Sequence, residues 1–307
     1  MFDNFWVVTT IFNPAHYKSR NVLYHEFIKR MNDAGVKVLT VELAFGNKPF
    51  EVTEEGNPHH LQLRTDAILW HKEKLINLGV ERLPKNWEYV AWIDADLNFL
   101  NPNWVQDTVL RLQYHPVVQM FSQAIDLTAQ NDVLRVHEGF AWLYHNGNLT
   151  TDKLYAKKAH PGFAWAMKRD TFNKMGGLID FAILGSADQH MAHAFIGKMA
   201  QSLVKGYSEG YKSEMMDWQA DCDRHIKGNL GYVPGAIAHY WHGNKKDRGY
   251  TTRFKLLIKH QYDPNKHLER DWQGVYRFDQ TAHLLEYDIY KYFLSRNEDS
   301  IEQNTPS

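Results

Sequence analysis

Short β-branched runs alternate with helix-length amphipathic segments through the first 120 residues, and no other feature restricts the fold of this chain as tightly. Residues 5–11 (FWVVTTI) form one such run and end at Asn13-Pro14, a turn signal. Residues 19–34 then place Val22, Leu23, Phe27, Ile28 and Met31 on one helical face, with Gly35 as the stop. A second strand is expected at 36–43, and a second helix at 65–78 with Thr65 as N-cap and Gly79 as stop. Strand at 88–93, helix at 103–113 and strand at 116–121 continue the pattern. Parallel neighbours need a long crossover, commonly a helix, whereas antiparallel neighbours need only a tight turn. The spacing therefore predicts an α/β fold with a mostly parallel central sheet flanked by helices.

The second half is less regular. Residues 125–160 are polar and mixed, without a clear period. Strand is expected at 162–168, a short helix at 171–175 closed by Gly176-Gly177, and helices at 186–203 and 210–227. Residues 231–239 return as one strand, and 282–294 form a tyrosine-rich amphipathic helix. The polar stub 297–307 reads as disordered. With no repeat and no low-complexity linker, residues 1–260 read as one domain and 261–307 as a helical extension packed on it.

Composition removes several function classes. Lys and Arg total 35 against 36 Asp and Glu, so a protein that wraps a polyanion is excluded, although a local basic groove is not. No apolar run reaches the roughly 18–20 residues of a membrane span. The N-terminal apolar run lacks a basic flank and reads as a buried strand, not a signal peptide. The single cysteine, Cys222, excludes internal disulfides and cysteine-rich zinc sites, and the cytoplasm is the expected location.

Four groups of residues carry the chemistry. Ala91-Trp92-Ile93-Asp94-Ala95-Asp96 runs a buried strand into two carboxylates. Beyond the carboxyl end of a parallel strand, both acids can reach one ligand, and hard oxygen ligands suit Mg²⁺ or Mn²⁺ held with phosphates. The plainer alternative is that Asp94 caps a turn while Asp96 is solvated. Gly185-Ser186-Ala187-Asp188-Gln189 has capping-box spacing, S-x-x-Q. That places Asp188 in a first helical turn, where it serves either as a general base or only as a dipole partner. His239-Tyr240-Trp241-His242-Gly243 follows a strand, so one imidazole there can complete an oxygen-rich site. In extended chain i and i+3 face opposite ways, so the two histidines are not expected to share a metal. Finally, Lys72 lies ahead of the Asp94 strand and Arg20 opens the first helix. Both can neutralise a diphosphate or simply sit on solvated helix faces.

Taken in order, these residues resemble a GT-A (Rossmann-like) glycosyltransferase, and the local text is similar to bacterial and phage glycosyltransferase-like proteins. The stretches concerned are 9–14 (TTIFNP), 70–73 (WHKE), 91–96 (AWIDAD), 160–165 (HPGFAW), 185–188 (GSAD) and 241–243 (WHG). The resemblance spans about residues 5–260 and implies a nucleotide-diphosphate-sugar donor. It implies that Asp96 binds a divalent metal, usually Mn²⁺, that Asp94 contacts the donor ribose or the metal, and that His242 closes the metal site. It places Asp188 where inverting members keep the base, and Thr10 and Phe12 at the nucleotide-base pocket. Gly162 and Trp165 belong to the segment lining the donor-sugar and acceptor space. Inverting members usually show Glu-Asp at the helix start, whereas Ala187 precedes Asp188 here, so the stereochemistry stays open. The resemblance leaves the acceptor as a saccharide or a hydroxylated pyrimidine in phage DNA. The basic run Lys245, Lys246, Arg248, Arg253 and Lys255 serves DNA phosphates, the donor diphosphate or solvent equally well. A metal-dependent hexosyl- or pentosyltransferase is the leading expectation. A carbohydrate-binding module or inactive transferase is the alternative, supported by the 14% aromatic content. A metal-dependent hydrolase or nuclease ranks third, because it needs more clustered acids.

Overall fold

Residues 3–150 and 159–300 are described by a computed structural model. Strand β1 (Phe5–Phe12) is buried along nearly its whole length, as a β-branched run is when both faces of a sheet are covered. Helix α1 (Lys18–Asp33) leads into β2 (Lys37–Phe45), parallel to β1. β3 (His60–Thr65) adds parallel to β2, and α2 (Lys72–Glu81) crosses back to β4 (Tyr89–Ile93), parallel to β1 on its other side. Next come β5 (Leu97–Phe99), α3 (Trp104–Tyr114), β6 (Val117–Gln119), β7 (Gln123–Leu127), β8 (Val133–Gly139) and α4 (Phe140–His145). After β9 (Ala159–His160) follow β10 (Ala164–Lys168), α5 (Arg169–Lys174), α6 (Ala187–Phe195), α7 (Glu209–His225), β11 (Leu230–Tyr232) and β12 (Ala236–His239). The chain closes with α8 (Phe254–Lys259), α9 (Pro264–His267), the hairpin β13 (Leu268–Arg270) and β14 (Tyr276–Phe278), and α10 (His283–Leu294).

The central sheet runs β11-β6-β10-β4-β1-β2-β3, and β10 is its one antiparallel member among the described residues. The fold is thus α/β with a mostly parallel sheet. Alternate residues of its strands enter two separate cores. Trp6, Val8, Leu39 and Trp92 join one cluster, while Phe5, Val7, Val38 and Ala91 join the other. The second sheet, β5-β12-β7-β8-β9, begins three residues after β4, so Asp94, Ala95 and Asp96 occupy the junction of the two sheets. Helix α10 adds Leu285, Ile289 and Phe293 to the first core.

Several expected boundaries move, each for a local reason. The helix expected at 65–78 starts only at Lys72, because Thr65 ends β3, a strand the sequence reading overlooks. Gly79 is no stop. It lies inside α2, where a Cβ would sit 2.8 Å from methyl carbons of both Val8 and Val41, so its hydrogen lets the helix approach the sheet closely. The strand expected at 231–239 breaks at Gly235 (φ +130°) and contributes to both sheets. The helix expected at 186–203 ends at Phe195, because Gly197 (φ +69°) turns the chain into a short 3-10 segment, Met199–Ser202. No period is visible in 125–160 because β8 is exposed on both faces over most of its length. Residues 151–158 of that stretch lie outside the described residues.

The stub expected to be disordered is docked over its first four residues. Glu298 is 1% exposed, and its carboxylate accepts from Arg20 Nε at 2.5 Å and Arg296 Nε at 2.6 Å. Asp299 accepts the backbone N–H groups of Lys18 and Ser19 at the start of α1. Residues 301–307 lie outside the described residues. Among the described residues no helix is long and apolar enough to cross a membrane.

Gly79→Ala tests the helix–sheet approach. Alanine favours a helix by about 1 kcal/mol over glycine, yet overpacking against two buried valines costs about 1–3 kcal/mol. The expected result is a net loss of stability in denaturant unfolding. A stabilised variant would show that α2 can move outward freely.

Candidate active site

The junction after β4 is held by backbone bonds from both sides. The Asp94 N–H donates to Phe163 O at 3.0 Å, and Tyr240 N–H donates to Asp96 O at 3.0 Å. The second bond anchors the end of β12 beside Asp96, since His239 is also the register partner of Leu97. Past His239 the chain leaves the strand, so the alternation of faces no longer applies to His242. His239 Nε2 and His242 Nε2 lie 3.8 Å and 3.3 Å from Asp96 Oδ2. One ligand atom from each of Asp96, His239 and His242 falls within 4.8 Å of the others. The expectation that the two histidines do not share a site is therefore corrected: His239, one of the two imidazoles considered, joins His242 there.

The hydrogen bonds assign the ring nitrogens. His239 Nδ1 lies 2.8 Å from Asp126 Oδ1, and His242 Nδ1 lies 3.2 Å from Tyr240 O. Carboxylate and carbonyl oxygens only accept, so in each ring Nδ1 carries a proton and Nε2 is the atom that faces Asp96. Burial, with Arg248 and His239 nearby, holds His242 well below the usual imidazole range and therefore neutral. Burial also raises the Asp96 carboxyl, against the pull of His239. Asp96 Oδ1 is buried and has no hydrogen-bond partner among the described residues. The Nε2 atoms of two imidazoles and a carboxylate thus face one another. This donor set fits a divalent cation that accepts both oxygen and imidazole nitrogen, such as Mn²⁺.

The same three residues border a cavity of about 450 Å³. Seven Lys and Arg side chains and four carboxylates belong to its lining. Lys72, the first residue of α2, pairs with Asp94. Burial works to lower its ammonium, but Asp94, Glu73 and Asp188 outweigh that and hold it charged. Arg248 is 5% exposed, donates to His242 O and Tyr250 Oη, and leaves its buried Nε without a partner. Arg253 donates to Ser186 Oγ at 2.6 Å and Tyr292 Oη at 3.3 Å. Neither arginine meets a carboxylate in a described ion pair. Arg20, by contrast, spends its fork on Glu298.

Asp188 lies in the first turn of α6, as its spacing predicts, but the capping box does not form. Ser186 has φ +74° and its side chain makes no cap, while Gln189 reaches His193. Instead Asp188 Oδ1 accepts the Gln189 N–H at 2.8 Å, and the carboxylate lies over Gly162. A Cβ on Gly162 would be 2.3 Å from Asp188 Oδ2, so only glycine leaves room for it. Glu73 shares this wall. It is 5% exposed, accepts from Trp70 Nε1 at 3.1 Å, and burial raises its carboxyl to about 7 with Asp188 adding to the rise.

Of the residues singled out in the sequence, Thr10, Phe12, Arg20, Lys72, Asp94, Asp96, Asp188 and His242 all border this cavity. Asp94 stands apart from the Asp96, His239 and His242 cluster, on Lys72. Trp165 is 2% exposed, donates to Pro161 O and packs on Phe195, so it belongs to the core and not to the cavity wall. Of the basic run, Lys245, Arg248 and Arg253 face the cavity, whereas Lys246 and Lys255 are not part of its lining. Asp126, Glu73 and His239 went unselected. Only His239 carried a signal, its place at a strand end.

No family model matches the chain, and no curated protein does. Solved structures similar to it include the catalytic domain of Drosophila β1,4-galactosyltransferase 7 in complex with xylobiose, at 11% identity over 92% of this chain and 98% of that one, TM-score 0.39. A mutant of that enzyme with manganese, UDP-Gal and xylobiose matches at 11% identity over the same shares, TM-score 0.41. Staphylococcus aureus TarS 1–349 with UDP-GlcNAc matches at 10% identity over 98% of this chain and 74% of that one, TM-score 0.41. Identities and TM-scores are low, and the functional reading rests on the cavity itself.

Glu73 makes stability depend on pH. Its carboxyl moves from an ordinary 4.5 to about 7 in the folded state. Between those values the unfolded chain has lost a proton that the folded chain keeps, so stability falls as pH rises through that window. Glu73→Gln should flatten this slope, by on the order of 1–3 kcal/mol between about pH 4.5 and 7. Urea titrations of both proteins across the window would show it, and parallel curves would contradict it.

Proposed function

We propose that the protein is a divalent-cation-dependent glycosyltransferase that moves a sugar from a nucleoside-diphosphate sugar to an acceptor hydroxyl. One observation supports this reading: a carboxylate and two imidazoles bring their ligand atoms within 4.8 Å of one another in a cavity whose lining holds more cations than carboxylates. A cluster for a cation beside a wall for an anion suits a metal-bound diphosphate better than either ligand alone. In this reading residues 1–260 form the catalytic GT-A-like domain, and 261–307 buttress it through α10.

Each side chain then has a task. Thr10 and Phe12, at the end of β1, receive the nucleoside. Arg248 and Arg253 hold the diphosphate, and the segment carrying them excludes water from the donor. A cation held by Asp96, His239 and His242, with imidazole favouring Mn²⁺ over Mg²⁺, would supply Lewis-acid neutralisation of the leaving diphosphate. Asp94 keeps Lys72 in place beside it. The acceptor oxygen forms a bond to the anomeric carbon while the bond from that carbon to the diphosphate oxygen breaks. The hydroxyl proton passes to the Asp188 carboxylate, and the nucleoside diphosphate departs with the electron pair.

Incubation with Mn²⁺ and a panel of nucleotide sugars should release UDP or GDP. Asp96→Asn should abolish both turnover and Mn²⁺-dependent donor binding. Asp188→Asn should lower turnover by about 10²–10⁴-fold and leave donor affinity, read by calorimetry, near wild type. Full activity in Asp96→Asn would sink the site assignment. Stabilisation by free sugar, with no nucleotide binding, would make this a carbohydrate-binding protein instead.

A further inference from the structure

We infer that Asp126 is the positioning residue of the cation site, acting through His239. This rests on reading Asp96, His239 and His242 as that site. Asp126 lies on β7, and the parallel register of β7 with β12 sets it directly beside His239. Its carboxylate is 3% exposed and collects three donors. His239 Nδ1 approaches Oδ1 at 2.8 Å, His137 Nε2 approaches Oδ2 at 2.7 Å, and the Lys245 ammonium reaches Oδ2 as well.

The consequence for His239 is geometric. His137 and Lys245 occupy Oδ2, so Oδ1 accepts from Nδ1, and the one neutral tautomer this admits has its proton on Nδ1. Nε2 is then left as a lone pair aimed at Asp96. The negative charge also makes that lone pair more basic, and so a better ligand. His239 cannot turn away easily, because its ring lies 4.6 Å from Phe163, which is itself stacked on His160 at 3.7 Å. His137 and Lys245 supply the remaining hydrogen bonds that a buried carboxylate needs. Lys245 also ties the segment carrying Arg248 to the same anchor, so the cation ligand and the anion-facing arginines share one buried carboxylate.

The test is Mn²⁺ affinity of the full chain, measured by calorimetry with no nucleotide present. Asp126→Asn should weaken Mn²⁺ binding by about 10–100-fold. His137→Ala removes a donor from the same carboxylate without touching His239 and should bind Mn²⁺ close to wild type. An Asp126→Asn protein that is folded by circular dichroism and binds Mn²⁺ as wild type does would overturn the inference. So would equal losses in the two variants, because a general buttress would produce those. Should Asp126→Asn fail to fold, the tautomer of wild-type His239 decides. Long-range proton–nitrogen correlation should find the proton on Nδ1, and a proton on Nε2 would refute the role. Wild type that binds no divalent cation would remove the cation site first and this inference with it, a pattern distinct from an unaffected Asp126→Asn.

Discussion

Two imidazoles and a buried carboxylate are held against one another at the seam between the two sheets. A buried carboxylate oxygen without a partner, as Asp96 Oδ1 is among the described residues, is costly. The surrounding structure nevertheless holds them there. The Tyr240–Asp96 backbone bond, the β12 register and the Asp126–His239 bond all act against relaxation. An arrangement of this kind is stable when a positive charge occupies its centre.

The cationic wall has a division of labour. Lys72 and Lys245 are committed to Asp94 and Asp126, and Arg20 and Arg296 to Glu298. These pairs are largely shielded from water, so they hold geometry and do not merely decorate a surface. Arg248 and Arg253 donate to neutral oxygens, Arg253 also lies over the Tyr250 ring, and neither meets a carboxylate in an ion pair among the described residues. The docked tail takes part in this division. Glu298 draws Arg20 and Arg296 together, and its backbone lies against Gly243, where a Cβ would be 2.6 Å from Glu298 Cα. Residues nearly 300 positions apart in the chain thereby form one wall of the cavity.

The alternation of strand and helix text made the parallel sheet legible, and the position of Asp94 and Asp96 after a buried strand made the site's location legible. Both depend on local pattern. What escaped did so because it depends on contacts between distant segments. The S-x-x-Q text at Ser186 has capping spacing, but Arg253 takes the serine hydroxyl. Trp165 sits in a stretch that suggests a sugar platform, yet the pleat turns it into the core. Asp126 lies on β7, where the buried positions are Ala124 and Asp126 itself, so no apolar alternation marks the strand in the sequence.

Sequence alone determined the class of fold, the chain's two-faced buried sheet, and the strand end where carboxylates would collect, because burial periodicity is written residue by residue. The tertiary structure decided which nitrogen and oxygen atoms meet there. His239 and His242 converge only because the chain leaves its strand at Tyr240, and Asp188 reaches the cavity only because Gly162, from another segment, has no side chain. Such meetings are set by register and by close approach between elements, and neither quantity is encoded in the spacing of residues along one chain segment.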